Sequence, residues 1–457
     1  MKELKLKRVF SDNMVFQRDS VIRVFGECDA NDEITVSFDG EIKKATIEDG
    51  SFTAEFEPHI AGEGYTLTVL GKEKEIVLNN ICVGEVWIAG GQSNMEFMMR
   101  QSLSGTLEFC LDKDYDIRSI RIEPENSPVW ETANEKNNSI SAVAYYFSKV
   151  LKTKLNIPVG IINMNKGASS VLHWTNTETS LNNEITAPYV KRNLYDYGKL
   201  NCDKEPDLCY MGASYEIEYG HFYEKCVKDI EGFNVKGVLW YQGESDAGGK
   251  EGAEIYKTAF SLMLSDWQKN FNNEKLPFIT VLLGNFAGEW IGGKDGKAWA
   301  YMRETQIELS EKYENVHLIS AMDCANFENI HPLDKQTVGK RMAACALNEV
   351  YGLEVPYKSP KFDKAVLEEN KLTVYFKDTY SRIFVPNSEL FGFEVKDAYR
   401  VWHSVNGRLE GQTAVFDVSG IFKPQYVRAY FKNASDIRLY NNYGNPLFPF
   451  GKRRITR

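Results

Sequence analysis

Apolar and polar residues alternate over most of the first eighty positions. Val21-Ile22-Arg23-Val24-Phe25-Gly26, Glu33-Ile34-Thr35-Val36-Ser37-Phe38 and Tyr65-Thr66-Leu67-Thr68-Val69-Leu70 each present one apolar face at a spacing of two. Asp39-Gly40 and Asp49-Gly50 punctuate them as hairpin turns. The pattern predicts an antiparallel β-sandwich-like domain over 1–82. From 83 to 354 the rhythm changes to strand and helix in alternation. The runs Glu85–Ala89, Val159–Asn163, Val235–Tyr241, Phe278–Leu283 and Val316–Met322 read as buried strands. Ser139–Lys154, Ala253–Phe271, Ala298–Tyr313 and Asp334–Val350 read as helices. In the first, Ser139-Ile140-Ser141 supplies the cap, and Val143, Phe147, Val150 and Leu151 the inner stripe. This predicts an α/β domain with a mostly parallel sheet and helices on both faces, its chemistry beyond the C-terminal strand ends. Residues 355–457 return to β patterns such as Lys371–Phe376 and Gln425–Phe431, expected to form a second sandwich-like region.

Composition narrows the partners. The net charge is −10, and no basic block is longer than Lys452-Arg453-Arg454, which argues against nucleic acid and anionic membrane surfaces. No apolar run reaches the ~20 residues of a membrane span, and Met1–Lys7 lacks a signal-peptide core, so a cytoplasmic location is expected unless a signal was removed. The 8 cysteines are scattered, with no Cys-x-x-Cys, and read as free thiols. Cys202 and Cys209 are close enough in sequence to bridge if the protein is exported. Oligomeric state, a homodimer included, is left open.

Four segments follow strand candidates in the α/β region and should gather along one sheet edge. They are Gly91-Gln92-Ser93-Asn94-Met95, Asn163–Ser169, Trp240-Tyr241-Gln242-Gly243-Glu244-Ser245, and Asn329-Ile330-His331-Pro332. A serine at a strand-to-helix turn is how many hydrolases present a nucleophile, though most such serines are caps. Serine needs a base, and His331 is the histidine placed after the last strand and before a helix. Gly167 lets a backbone N–H approach a ligand, and Gln242 carries an amide able to donate to an oxyanion. His173 divides evenly between lining the site and packing. Trp174, Trp240 and Tyr241 are sugar-stacking candidates, with core packing the safer reading for the last two.

Together these segments resemble the sialate O-acetylesterase family of the SGNH hydrolases over nearly the whole chain. Val9–Arg18 is similar to the family's opening, Val83-Gly84-Glu85-Val86-Trp87 with Gly91–Glu96 to its nucleophile block, and Lys236–Ser245 to its third block. Ile330–Gly339 is similar to its histidine block, and Arg438–Pro446 with Pro449-Phe450 to its closing strand. The resemblance implies a three-layer α/β/α catalytic domain, removal of acetyl groups from sugar hydroxyls, and no metal or cofactor. It implies Ser93 as nucleophile, His331 as base, and an oxyanion hole from the Ser93 and Gly167 N–H groups and the Gln242 side chain. Asn94, Glu244, Trp174 and Tyr241 are the candidate substrate contacts. Two features depart from the family: the second glycine of its second block is Ala168, preceded by Lys166 and Gly167, and the acid before the histidine is not plain. The usual spacing selects Glu328, with Asp323, Glu244 or a backbone carbonyl as alternatives.

The expected substrate is an acetylated mono- or oligosaccharide: sialic acid, or a xylo-, manno- or xyloglucan oligosaccharide. Two other readings compete. A glycoside hydrolase would use paired carboxylates, Glu244 among them, and a non-catalytic carbohydrate-binding protein would rest on the β regions alone.

Overall fold

Two Asp-Gly pairs set the N-terminal hairpins. Asp39 and Gly40 (φ 47° and 78°) join the strands Thr35–Phe38 and Glu41–Lys44, and Asp49 and Gly50 (φ 49° and 75°) join Thr46–Glu48 and Ser51–Phe56. Both residues of each pair are left-handed, the backbone of the turn that matches strand twist. The structure is a computed structural model that describes residues 3–111, 116–133, 140–195, 217–288, 296–386 and 389–457. Cys202 and Cys209 lie outside the described residues. Five cysteines within them, Cys28, Cys82, Cys226, Cys324 and Cys345, form no disulfide.

The chain forms two compact units, the first of residues 1–199, 214–242 and 258–278, the second of 200–213, 243–257 and 279–457. The first unit opens with two facing sheets. One is ordered Lys5–Leu6, Ile22–Glu27, Ser51–Phe56, Thr46–Glu48. In the other, Thr35–Phe38 pairs antiparallel with Glu41–Lys44 and Gly62–Leu70. Strict in–out burial along Ile22–Glu27 and Ser51–Phe56 shows one dry face each, and the Phe38 and Phe56 rings meet across the gap at 5.9 Å.

The 17-residue strand Glu75–Gly91 carries the chain into the α/β part. Its first residues pair antiparallel with Gly62–Leu70, and its last pair in parallel with Val159–Asn165 and Gly237–Tyr241. Burial changes with the pairing. The strand is mostly exposed up to Asn80 and fully buried from Ile81 on, as a parallel strand covered on both faces must be. One strand thus runs through the boundary expected at 82/83. Glu85 is buried within it, and Arg18 Nε (2.6 Å) and Gln17 Nε2 (3.1 Å) compensate its charge. Ile117–Arg121 extends the sheet in parallel beyond Val159–Asn165, and Glu131–Thr132 closes that edge antiparallel. The helix Ala142–Leu155 is capped by Ser141, whose Oγ accepts from the Ala144 N–H, and Phe147 packs edge-on to Trp87 at 5.0 Å.

The second unit holds the strands Phe278–Leu282, from Ile279 on, and Val316–Ser320, the helices Ala298–Lys312 and Lys335–Glu349, and the C-terminal β region. That region is a closed barrel, not the expected sandwich. Its order is Lys361–Glu368, Lys371–Lys377, Thr413–Asp417, Trp402–Glu410, Leu390–Lys396, Tyr426–Ala429, Phe450–Thr456. The last strand returns parallel to the first, Ala365 opposite Ile455, and so removes both free edges. Alternation predicts strands with one dry face but not whether the sheet closes on itself, which a single parallel register decides. Leu282, Leu318 and Met322 share one apolar core with Phe393, Phe416 and Val427 of the barrel.

Candidate functional site

The nucleophile candidate stands at the end of the long strand. Gly91 has φ 130°, and a Cβ there would sit 2.2 Å from the Tyr241 carbonyl oxygen, so only glycine fits the turn. The Gln92 N–H donates to that carbonyl (3.1 Å). The chain then makes a single helical turn, Ser93–Glu96, in which the Gln92 carbonyl accepts from the Met95 and Glu96 N–H groups. Ser93 is half-buried, while Asn94 and Met95 are buried.

The second segment folds back onto this turn. The Lys166 N–H donates to the Gly91 carbonyl (3.0 Å), and the Lys166 carbonyl accepts from the Ser169 N–H (3.2 Å) and Oγ (2.7 Å). Gly167 comes close to the nucleophile, since a Cβ on it would lie 3.6 Å from that of Ser93. Its N–H, expected to face an oxyanion, donates to Glu96 Oε2 at 2.6 Å. The Gln242 amide departs from expectation in the same way: Nε2 donates to Gln92 Oε1 (3.1 Å) and to the Ser169 carbonyl (3.0 Å). Both its hydrogens are directed at protein acceptors, so in this structure Gln242 braces the residue before Ser93. Gln92, Glu96 and Ser169 were missed as members of this network. The signal was present in Ser93 and Glu96, which are three residues apart and so face alike on a helical turn.

The aromatic candidates are walls rather than platforms. Trp174 is 1% exposed, stacks on Phe222 (4.8 Å) and donates from Nε1 to Ser169 Oγ (2.9 Å). Tyr241 is equally buried, and Trp240 packs edge-on to Trp267 at 5.9 Å. Stacking by Tyr241 on a sugar is therefore corrected to core packing, because the strand end is covered on both faces, while Trp174, though almost fully buried, borders a hollow beside the second segment. Asn94, too, is buried, without an open face for a substrate. His173 Nδ1 accepts from the Ser170 N–H (2.9 Å), which leaves Nε2–H to donate to the Ile217 carbonyl (3.1 Å): a packing histidine. A hollow of about 250 Å³ adjoins the second segment, lined among others by Glu123, Asn165, Lys166 and His221.

The histidine candidate belongs to the second unit. Its loop is shaped by asparagines: Asn326 Oδ1 accepts from the Asn329 N–H (2.8 Å), and Asn329 Oδ1 from the His331 N–H (2.9 Å). Burial, and then the charge of Lys335, push the His331 imidazole below the usual histidine value, which keeps it neutral, and so open to a proton, near pH 7. Lys335 opens the helix Lys335–Glu349 behind the Asp334 cap and is 0% exposed. Burial lowers its ammonium to about 7, against the opposing pull of Glu244, Cys324 and Asp334.

The three candidate acids fare differently. Glu328 is exposed, and among the described residues its side chain makes no hydrogen bond or ion pair. It does not orient His331 here, because the asparagine-capped loop turns it to solvent. Asp323 gives both oxygens to Arg341, at 2.7 and 2.8 Å. Glu244, on the turn after Gly243 (φ 137°), is buried, and its charge acts on Lys335, as the charge of Lys335 acts on His331. That burial moves Glu244 away from the substrate-contact role. Among the described residues no group of three or more His, Cys, Asp or Glu side chains could hold a metal ion, and no helix is long and apolar enough to cross a membrane.

Residues 208–348 match the family model described as carbohydrate esterase, sialic acid-specific acetylesterase. The sialate O-acetylesterases of Homo sapiens and Mus musculus are 23% identical over 327 and 320 residues, 64% and 60% of this chain. The chain thus spans 59% and 58% of the length of those curated relatives. A carbohydrate acetylesterase from Xanthomonas citri is 27% identical and superposes with a TM-score of 0.85 over 98% of both chains. By sequence and by fold, the chain is similar to the sialate O-acetylesterases and to a carbohydrate acetylesterase of known structure.

Proposed function

We propose that this protein is a serine esterase that removes O-acetyl groups from sugars through an acetyl-enzyme on Ser93. The observation that carries the reading is the seating of Ser93. It stands half-buried on a turn that only Gly91 can make, with Gly167 close beside it. Such a place suits an attacking oxygen and the negative charge that attack creates. The catalytic region is residues 83–354, of the three-layer SGNH type, between β regions at 1–82 and 355–457.

In the first step His331 accepts the Ser93 hydroxyl proton as Oγ bonds to the acetyl carbonyl carbon. The carbonyl π pair moves onto oxygen, and backbone N–H groups, that of Ser93 among them, hold the oxyanion. The pair returns, the bond from carbon to the sugar oxygen breaks, and the imidazolium protonates the leaving sugar hydroxyl. Water then attacks the acetyl-enzyme with His331 again as base, and releases acetate and the serine. Of the three carboxylates, Glu244 is the one we assign to support His331, since it alone of them is buried.

The substrate is an acetylated mono- or oligosaccharide. Acetate release measured across acetylated sialic acid and acetylated xylo-, manno- and xyloglucan oligosaccharides identifies which. Folded Ser93→Ala protein should release no acetate from 4-nitrophenyl acetate or from any of these, and retained turnover would overturn the reading. The glycoside hydrolase and binding-protein readings gain nothing from the relatives named above, which are esterases.

A further inference from the structure

We propose that Glu96 is a positioning residue whose carboxylate aims the Gly167 peptide at the side of Ser93. The inference rests on the reading of Ser93 as the acetyl-accepting nucleophile. The Lys166–Gly167 peptide is held at its carbonyl end by Ser169, through N–H and Oγ. At its other end the Gly167 N–H donates to Glu96 Oε2 at 2.6 Å. That length marks a charge-assisted bond, about twice as strong as a neutral one.

Position gives the bond its consequence. Glu96 closes the same helical turn that Ser93 opens, so the carboxylate and the nucleophile move as one piece. Where a Cβ would stand on Gly167, Glu96 Oε2 lies 3.0 Å away and Ser93 Cβ 3.6 Å away. The N–H therefore points at an anionic oxygen carried by the same helical turn as the nucleophile. Gly167 is the residue least able to hold this orientation unaided: it has no side chain, and its neighbour Ala168 sits in a left-handed turn (φ 60°). The role belongs to no part of the proton transfers. Glu96 acts through Gly167: as the tetrahedral intermediate forms, the N–H is shared between the carboxylate, which keeps its orientation, and the oxyanion.

Glu96→Ala, Glu96→Asp and Glu96→Gln, with Ser93→Ala alongside, test this on 4-nitrophenyl acetate. Glu96→Ala should lower kcat roughly 10- to 100-fold, with KM within about 3-fold, since a misaimed donor is felt in the transition state. Glu96→Asp keeps the charge but falls short of the N–H, and should fall with Glu96→Ala. Glu96→Gln keeps an acceptor at full reach and should hold kcat within about 5-fold of the parent. Thermal midpoints measured in parallel register any purely structural effect, which would lower all three variants' midpoints without this split in kcat. Equal losses in Glu96→Gln and Glu96→Ala, or a Glu96→Ala kcat at or above the parent value, would overturn the role. Activity persisting in Ser93→Ala would instead defeat the esterase mechanism itself, so the two failures are distinguishable.

Discussion

The segment around Ser93 and the loop around His331 are built on opposite principles. The first is pinned by the backbone of the sheet: Gly91, Gln92 and Lys166 bond to strand ends or to each other, and Gln242 and Ser169 fasten the rest. The second starts at Ala321, directly after its strand, and takes its shape from Asn326 and Asn329 side chains over a stretch exposed at Asn326, Phe327 and Glu328. A nucleophile at a strand end inherits the rigidity of the sheet. A base eleven residues past one depends on what buries it. The difference teaches where a substitution is felt: geometry governs the first region, charge and burial the second.

The largest test of that contrast separates the three carboxylates. If burial and charge rule the histidine loop, Glu244→Gln should lower kcat by roughly 100-fold, the lower range for loss of support to a general base. Glu328→Gln, at an exposed position, should stay within about 2-fold. Asp323→Asn breaks a two-toothed Arg341 contact and should mainly lower the thermal midpoint. Steady-state kinetics with melting curves on all three decide it. A large loss in Glu328→Gln with an intact Glu244→Gln would restore the acid that spacing alone selects.

A second test reads the charge directly. His331 must be neutral to accept a proton, so kcat/KM falls as pH drops through its pKa. Burial and Lys335 lower that pKa, so the acid limb lies below the usual histidine value near 6.5. Lys335 is charged only below about pH 7, and there it opposes protonation of His331. Lys335→Met removes the opposition, and the acid limb should move to higher pH. A limb that stays in place or moves to lower pH would show that Lys335 does not act on the base.

The two regions also differed in how far they could be read from the chain. Around Ser93 the sequence carries the constraint itself: Gly91 and the apolar run before it fix a strand end, and the block motifs put Gly167 near it. Which hydrogen bonds those groups make was not legible, because Glu96 and Gln92 take the N–H groups of Gly167 and Gln242 through side-chain reach. Around His331, spacing pointed to Glu328, yet the asparagine caps turn it outward. Orientation in a loop is set by local hydrogen bonds, which no periodicity records. In the β regions, alternation predicted strands and their dry faces, while closure of the barrel rests on the parallel return of Phe450–Thr456, a long-range register.

The smallest expected effect tests the rigidity assigned to the nucleophile side. Ala168 adopts φ 60°, a left-handed conformation that costs an L-residue about 1–2 kcal/mol and glycine little. Glycine brings extra freedom to the unfolded chain, worth roughly 0.5–1 kcal/mol in the other direction. Ala168→Gly should therefore stabilise the protein by about 0.5 kcal/mol, read as a slightly higher denaturant midpoint. It should leave kcat within about 2-fold, because the Lys166–Gly167 peptide is held at both ends by Ser169 and Glu96. A drop in kcat without a drop in stability would mean that the methyl group of Ala168, and not the hydrogen bonds, keeps this turn in place, and the nucleophile side would then depend on packing as the histidine side does.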